Sequence, residues 1–149
     1  MSAYPALPVF ILALVTLFLK TTLTSVLQVT TRLRSRMFTI PEDAALMRVK
    51  VKQEEAAFVQ RCANVWRNDV ENLPLFLALA LSYVLLGATP ESAGTLFAAY
   101  VALRYAHTFA YLRGLQPWRA LLYLGGMAVC WVLAAKILLL AIRLATPAA

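Results

Sequence analysis

Charged residues are scarce in this sequence. They make up 14% of the chain, against about 25% in soluble domains, whereas apolar residues make up 62%. Several stretches of low charge reach the roughly 20 residues that a helix needs to cross a bilayer. The composition therefore argues against a soluble globular protein. It predicts one domain over residues 1–149, an all-α integral membrane bundle of four helices.

Potential metal ligands and nucleophiles are also few. The chain has two cysteines and one histidine. Because Cys62 and Cys130 are predicted at different depths in the membrane, a disulfide is not expected, and the sequence has no metal-ligand spacing. The sequence has no Ser-His-Asp order, no HExxH motif and no glycine-rich phosphate loop. These absences argue against hydrolases of the serine and zinc types and against nucleotide binding.

Acidic residues number seven against 14 basic ones, and the basic residues are unevenly placed. Eight of them lie between Arg32 and Arg67, whereas the connection near Gly87 carries none. The positive-inside rule therefore predicts that the first and third connections are cytoplasmic and that both termini lie on the opposite side. Because six acidic residues lie between Glu42 and Glu71, this region indicates contact with anionic lipid rather than with nucleic acid.

Apolar runs and turn residues divide the chain into four long predicted helices. A connection over residues 31–55 follows the first helix, and Pro41 with the two acids after it predicts a short helix there. Pro74 falls inside the second long helix and predicts a kink. The four predicted helices span Pro8–Val29, Glu54–Leu86, Ser92–Leu112 and Trp118–Leu144.

The start of the second helix carries a polar stripe that is unusual for a membrane segment. Its side chains share an arc of roughly 120° when the helix is drawn at about 100° per residue. Such a stripe is costly near lipid, so we expect it to face the interior of a bundle or a water-filled cavity. Trp66 and Val70 belong to the opposite, apolar side. The stripe consists of Arg61, Asn64, Arg67, Asn68 and Glu71.

Polar side chains on the last two helices lie toward the same leaflet. On the third helix, Arg104, His107 and Tyr111 share an arc of about 60°. At the start of the fourth helix, Arg119 and Tyr123 are four residues apart and therefore share a face. With the stripe on the second helix, these groups predict a polar site at the cytoplasmic end of the bundle.

Some of these charges allow two interpretations. Arg104 is expected either to face a ligand or to hold the bundle together by pairing with Glu71 or Asp69. His107 is expected to make either an interhelical hydrogen bond or a direct ligand contact. Lys20, on the first helix, is expected either to snorkel to the interface or to pair with a buried partner.

The predicted polar site suits a small zwitterion. Arginines clamp carboxylates through paired hydrogen bonds, and the carboxylate of Glu71 is placed to take an ammonium group. Such a ligand would carry more than one carboxylate and one ammonium. Because four helices make a small bundle, a site this charged is expected to be completed by neighbouring subunits.

Four motifs in order give the chain a family resemblance that covers nearly its whole length. They resemble the membrane-associated proteins in eicosanoid and glutathione metabolism, specifically the branch of microsomal glutathione transferases and prostaglandin E synthases. The resemblance implies a homotrimer of four-helix subunits that binds glutathione between neighbouring subunits on the cytoplasmic side. The motifs are Thr31–Arg34 with Phe38–Asp43, Glu55 with Arg67–Asn72, Arg104–Leu112, and Pro117–Arg119.

The same resemblance implies a set of site residues. Glu71 would hold the γ-glutamyl ammonium of glutathione, and Arg119 would stabilise the thiolate as a catalytic residue. An adjacent cation lowers the pKa of a thiol from about 8.5 and so raises the thiolate fraction. Asp43 matches an acid proposed to act in the synthase, although it is equally placed as a helix N-terminal acid. The implied glutathione contacts are Arg32, Arg67, Asn68, Glu71, His107, Tyr111, Arg119 and Tyr123.

The chain departs from the family pattern at several positions. Asn64 and Trp66 stand where an arginine and a histidine are often found, which removes one expected carboxylate clamp. Ala120 stands where the prostaglandin synthase has a serine proposed to assist the thiol. Ala44 stands where the mammalian microsomal transferase has a stress-sensing cysteine, so thiol activation is not expected there.

The leading functional hypothesis is a glutathione-dependent membrane transferase or peroxidase. It would deliver the thiolate to lipophilic electrophiles or lipid hydroperoxides that arrive from the bilayer. The alternatives are a glutathione-dependent prostaglandin endoperoxide isomerase and a non-catalytic lipid-binding member of the family. The host membrane would be the endoplasmic reticulum in a eukaryote or the inner membrane in a bacterium.

Overall fold

The computed structural model describes residues 3–146. This part of the chain contains five helices and no strand. Four helices are 24 to 29 residues long, and the remaining one has six residues. At about 1.5 Å per residue, each long helix exceeds the roughly 30 Å of a hydrocarbon core. The helices are α1 (Leu7–Ser35), α2 (Pro41–Leu46), α3 (Ala57–Leu85), α4 (Pro90–Arg113) and α5 (Trp118–Ala145).

The predicted all-α bundle of four long helices and one short helix is confirmed, but the predicted end of the first helix was wrong. The helix runs to Ser35 instead of Val29, so Arg32 and Arg34 lie on its last turn. Basic side chains are favourable there because they face the negative end of the helix dipole. Arg36 then ends α1 in a left-handed conformation, at φ 51°, and its N–H donates to the carbonyl of Arg32.

The short helix α2 and the second long helix, α3, follow the prediction more closely. Pro41 begins α2 and the two acids after it occupy the first turn, as the sequence predicted. The second long helix begins at Ala57, three residues later than predicted, and contains Pro74 in its interior. The connection between α1 and α3 is nevertheless shorter than predicted, because α1 extends six residues further than expected, to Ser35.

Aromatic rings form the centre of the core. The rings of Phe76 and Tyr100 are stacked with centroids 3.7 Å apart, and Phe97 meets Phe76 edge to face at 5.8 Å. Leu17 of α1 and Leu133 of α5 are buried in the same cluster. The helix α1 packs against α3 and α4, and α5 packs against the same two helices. This core packs the four long helices together.

Large apolar side chains cover the outside of the bundle. Leu12, Phe18 and Trp131 are between 65% and 72% exposed. The helices α1 and α5 are long and apolar enough to span a membrane. An apolar surface of this extent is unfavourable in water and suits a lipid environment. Cys62 and Cys130 are both buried free thiols.

Two glycines with positive φ allow a matched test of the loop before α5. Gly114 (φ +70°) and Gly87 (φ +81°) both require the left-handed region, but only Gly114 has a close neighbour, since an added Cβ would lie 3.2 Å from Arg61 Nη1. That guanidinium donates to the carbonyl of Leu112 at 3.1 Å. We expect Gly87→Ala to cost about 1 kcal/mol of unfolding free energy. We expect Gly114→Ala to cost roughly 0.5 kcal/mol more, because Arg61 must shift by a few tenths of an ångström, which weakens that hydrogen bond.

Unfolding of both variants in the same detergent measures the difference. Equal losses for Gly87→Ala and Gly114→Ala would contradict the role of Arg61 in closing the end of α4.

Candidate active-site cleft

A polar cleft of about 390 Å³ lies where α3, α4 and α5 meet. It is formed by the end of α4, the connection to α5 and the first two turns of α5. Five of the residues predicted to bind glutathione line it, so the structure brings together much of the predicted site. The residues that line the cleft are Asn68, His107, Tyr111, Gln116, Arg119, Ala120, Tyr123 and Leu124.

Arg119 is held in the cleft by neutral groups. Its guanidinium carbon lies over the ring of Tyr111, 4.6 Å from the centroid. With its side-chain amide oriented for hydrogen bonding, Gln116 accepts from Arg119 Nη2 at 2.7 Å and from Nε at 3.2 Å. No carboxylate of residues 3–146 forms an ion pair with this guanidinium. Arg119 therefore has a fixed position and a positive charge available to an anion in the cleft.

His107 forms the inner wall of the cleft. The side chain is buried, and its Nδ1 atom has no hydrogen-bond partner within the part of the chain that the structure describes. Its ring lies 5.9 Å from the ring of Tyr111 and 6.3 Å from that of Tyr123, measured between centroids. A buried nitrogen without a partner is costly, so a ligand that hydrogen-bonds to His107 would remove this cost.

A charged cluster is buried behind the cleft. Asp69 accepts from Lys20 Nζ at 2.5 Å through Oδ2 and from Arg104 Nη2 at 2.9 Å through Oδ1. Each of the three side chains is 2% exposed. Arg104 Nη2 also donates to Asn68 Oδ1. Of the interpretations left open, buried pairing is confirmed for both Lys20 and Arg104, and the partner is Asp69 rather than Glu71.

The polar stripe on α3 was expected to face a bundle interior or a water-filled cavity, but within one chain only Asn68 of the stripe lines the cleft. Arg67 and Glu71 are exposed, and Asn68 is half-buried at the cleft. Trp66 and Val70, predicted on the apolar side, are 43% and 58% exposed. The buried face of α3 instead includes Asp69. This carboxylate is stable inside the bundle because two cations from other helices reach it, which the sequence of α3 alone does not reveal.

The remaining predicted site residues lie outside the cleft of one chain. Arg32, on the last turn of α1, forms an ion pair at 2.6 Å with Glu55 on the connection before α3. Asp43 is half-buried in the first turn of α2, a position that the helix dipole also favours. With the exposed Arg67 and Glu71, these residues stay predicted site residues that a single chain does not bring to Arg119.

Two residues that line the cleft, Gln116 and Ala120, were not predicted as site residues. Gln116 was missed, because a polar residue before a proline in a connection is typical of solvated turns. Its signal was its spacing, three residues before Arg119. Ala120 lines the cleft, so no side-chain hydroxyl stands at that point of the wall.

A bundle of apolar helices with a polar cleft at one end defines a class, namely helical membrane proteins. Comparison with known sequences identifies the family within that class. The profile of the MAPEG family matches residues 10–139, and the chain belongs to this family. The family membership predicted from the four motifs is therefore confirmed. The prediction that the chain is a membrane protein is confirmed as well.

Three relatives illustrate the match. The chain is 35% identical to the prostaglandin E synthase of Homo sapiens over 135 residues, which cover 90% of this chain and 89% of that protein. It is 33% identical to the prostaglandin E synthase of Mus musculus over 139 residues, covering 93% and 91%. It is 35% identical to microsomal glutathione S-transferase 1 of Homo sapiens over 112 residues, covering 72% of each chain.

Proposed function

We propose that this protein is a glutathione-dependent membrane enzyme that holds glutathione as its thiolate in the cleft. The thiolate would attack lipophilic electrophiles or reduce lipid hydroperoxides that arrive from the bilayer. The observation that carries the proposal is Arg119, which is fixed by Tyr111 and Gln116 but has no carboxylate partner among residues 3–146. A relative is named as a glutathione S-transferase.

The cleft supplies the groups that this chemistry needs. Only the thiolate is a strong nucleophile, and a fixed guanidinium stabilises it relative to the thiol. In conjugation, the sulfur forms a bond to the electrophilic carbon and the leaving group departs with the bonding electrons. Because the partners of Arg119 are neutral, no carboxylate of residues 3–146 competes with the sulfur for the charge of the guanidinium.

The rest of glutathione would be bound by residues that one chain leaves exposed. Arg67 and Glu71 lie on the outer face of α3 and are free to contact a neighbouring copy. A neighbouring copy would place an arginine and a carboxylate near the two ends of the tripeptide. We therefore propose a homotrimer with glutathione between subunits. The basic connection after α1 supports a cytoplasmic position for this site in a multi-pass protein.

A second candidate is a prostaglandin endoperoxide isomerase with the same cofactor. It is favoured by the relatives named as prostaglandin E synthases, which match about nine-tenths of this chain. The absence of a hydroxyl at Ala120 favours the transferase or peroxidase instead. A non-catalytic lipid-binding protein is a weaker candidate, because such a protein does not need an unpaired arginine in a polar cleft.

Calorimetry on the detergent-purified protein tests the proposal. We expect glutathione to bind, and we expect cysteine alone to give no heat over the same range because it lacks the two ends that the exposed charges would hold. Product assays with an aryl halide, a lipid hydroperoxide and a prostaglandin endoperoxide then distinguish the candidate reactions. Absence of glutathione binding would contradict the whole proposal and favour the lipid-binding alternative.

A further inference from the structure

The cluster behind the cleft contains more positive than negative charge. Lys20 and Arg104 are cations and Asp69 is the carboxylate between them, so the three buried side chains carry one surplus positive charge. Buried charges are costly unless each is paired and hydrogen-bonded. A cluster of this kind on three different helices is expensive for a purely structural role, because a neutral apolar contact would hold the helices at lower cost.

The cluster reaches the cleft through Asn68. Arg104 Nη2 donates to Asn68 Oδ1, which orients the oxygen of this amide toward Arg104. Asn68 also lines the cleft beside His107 and Arg119. The amide group that remains for a ligand is therefore Nδ2, which is a donor. A donor suits an anionic ligand, whereas the same amide turned by 180° would present an acceptor and repel it.

We propose that Lys20, Asp69 and Arg104 form a positioning network that holds Asn68 as a hydrogen-bond donor to an anionic group of the bound ligand. The proposal rests on the proposed function, because the anion is taken to be a carboxylate or the thiolate of glutathione. Lys20, Asp69 and Arg104 do not line the cleft and act through Asn68. The surplus positive charge of the network is then compensated by the ligand itself.

Lys20 has a specific part in this network. Asp69 uses Oδ2 for Lys20 and Oδ1 for Arg104, so each cation takes one oxygen of the carboxylate. Without Lys20, both oxygens are available to the guanidinium, which prefers a bidentate pair with a carboxylate. Arg104 would then turn toward Asp69 and release Asn68, and the cleft would lose its fixed donor.

A double-mutant cycle with Lys20→Met and Asn68→Ala tests the network. Lys20→Met leaves Asp69 and Arg104 as a neutral pair, so the variant is expected to fold. We expect each single change to raise the Kd for glutathione about tenfold, since each removes one hydrogen bond to a charged group. We expect the double variant to bind no more weakly than Asn68→Ala alone, because Lys20 acts through Asn68.

Thr24→Val is the matched control. Thr24 is buried on the same helix, one turn beyond Lys20, and its hydroxyl donates only within α1, to the carbonyl of Lys20 at 3.1 Å. This variant is expected to keep the Kd of the wild type. An unchanged Kd in Lys20→Met, equal losses in Lys20→Met and Thr24→Val, or about a hundredfold loss in the double variant would each overturn the proposal.

A measurement without ligand separates the network from the proposed function. The side-chain NH2 signals of Asn68 are assigned by their loss from the NMR spectrum of Asn68→Ala. We expect these signals to shift in Lys20→Met and to stay in place in Thr24→Val. Absence of glutathione binding by the wild type would contradict the proposed function. An unchanged chemical shift of the Asn68 side-chain NH2 group in Lys20→Met would contradict the network.

Discussion

Arg119→Ala is expected to lower kcat/KM for glutathione-dependent turnover by roughly 10²–10³-fold, the loss typical of removing one fixed donor from a developing or stabilised anion. The reason is the position of the guanidinium. It lies in the cleft over the ring of Tyr111 and is held by Gln116 without a carboxylate partner in residues 3–146. Glutathione binding is expected to weaken less than turnover falls, because other groups hold the rest of the tripeptide.

Arg113→Ala is the control for this variant. Arg113 lies between Tyr111 and Gln116 in the chain but does not line the cleft, and its guanidinium carbon is 5.2 Å from the centroid of the exposed Phe109 ring. Like Arg119→Ala, the variant Arg113→Ala removes one positive charge from this end of the bundle, but it leaves the cleft unchanged. We expect turnover within about twofold of the wild type. If the two variants lose turnover equally, the general positive potential of this end, rather than Arg119 itself, supports the reaction.

Asp69→Asn is expected to be the most destabilising single change in the bundle. It leaves Lys20 and Arg104 buried without a carboxylate, and removing one partner of a buried ion pair costs about 3–5 kcal/mol. Lys20→Met is expected to cost much less, because Asp69 keeps its bond to Arg104 at 2.9 Å. Unfolding in detergent, monitored by circular dichroism, measures both losses.

Glu54→Gln makes the same chemical change at an exposed carboxylate on the connection before α3. Its effect on the unfolding free energy is expected to stay within about 0.5 kcal/mol. A loss in Asp69→Asn no larger than that in Glu54→Gln would contradict the burial of the charged cluster.

The helices were predictable because lipid-facing and core-facing side chains are both apolar in a membrane protein. Long apolar runs therefore mark the segments whichever side they face. The end of α1 was not predictable in the same way. Arg32 and Arg34 read as loop residues, and helix continuation to Ser35 depends on Arg36 adopting a left-handed conformation, which has no clear signal in an arginine.

The site was predictable only where one helix carried it. His107 and Tyr111 on α4, and Arg119 and Tyr123 on α5, share faces by simple spacing, and the cleft brings them together. The choice between Asp69 and Glu71 as the buried carboxylate was different. It depends on Lys20, which is 49 residues away in the chain, and spacing within α3 carries no information about a cation on α1.

The most direct test of the account is a difference spectrum in the thiolate absorption band after glutathione is added to the detergent-purified protein. We expect a thiolate signal at neutral pH in the wild type and in Arg113→Ala, and its loss in Arg119→Ala. This result would follow from a guanidinium that stabilises the sulfur anion in the cleft. Binding of glutathione without any thiolate signal in the wild type would contradict the account, because the tripeptide would then be held only as the unreactive thiol.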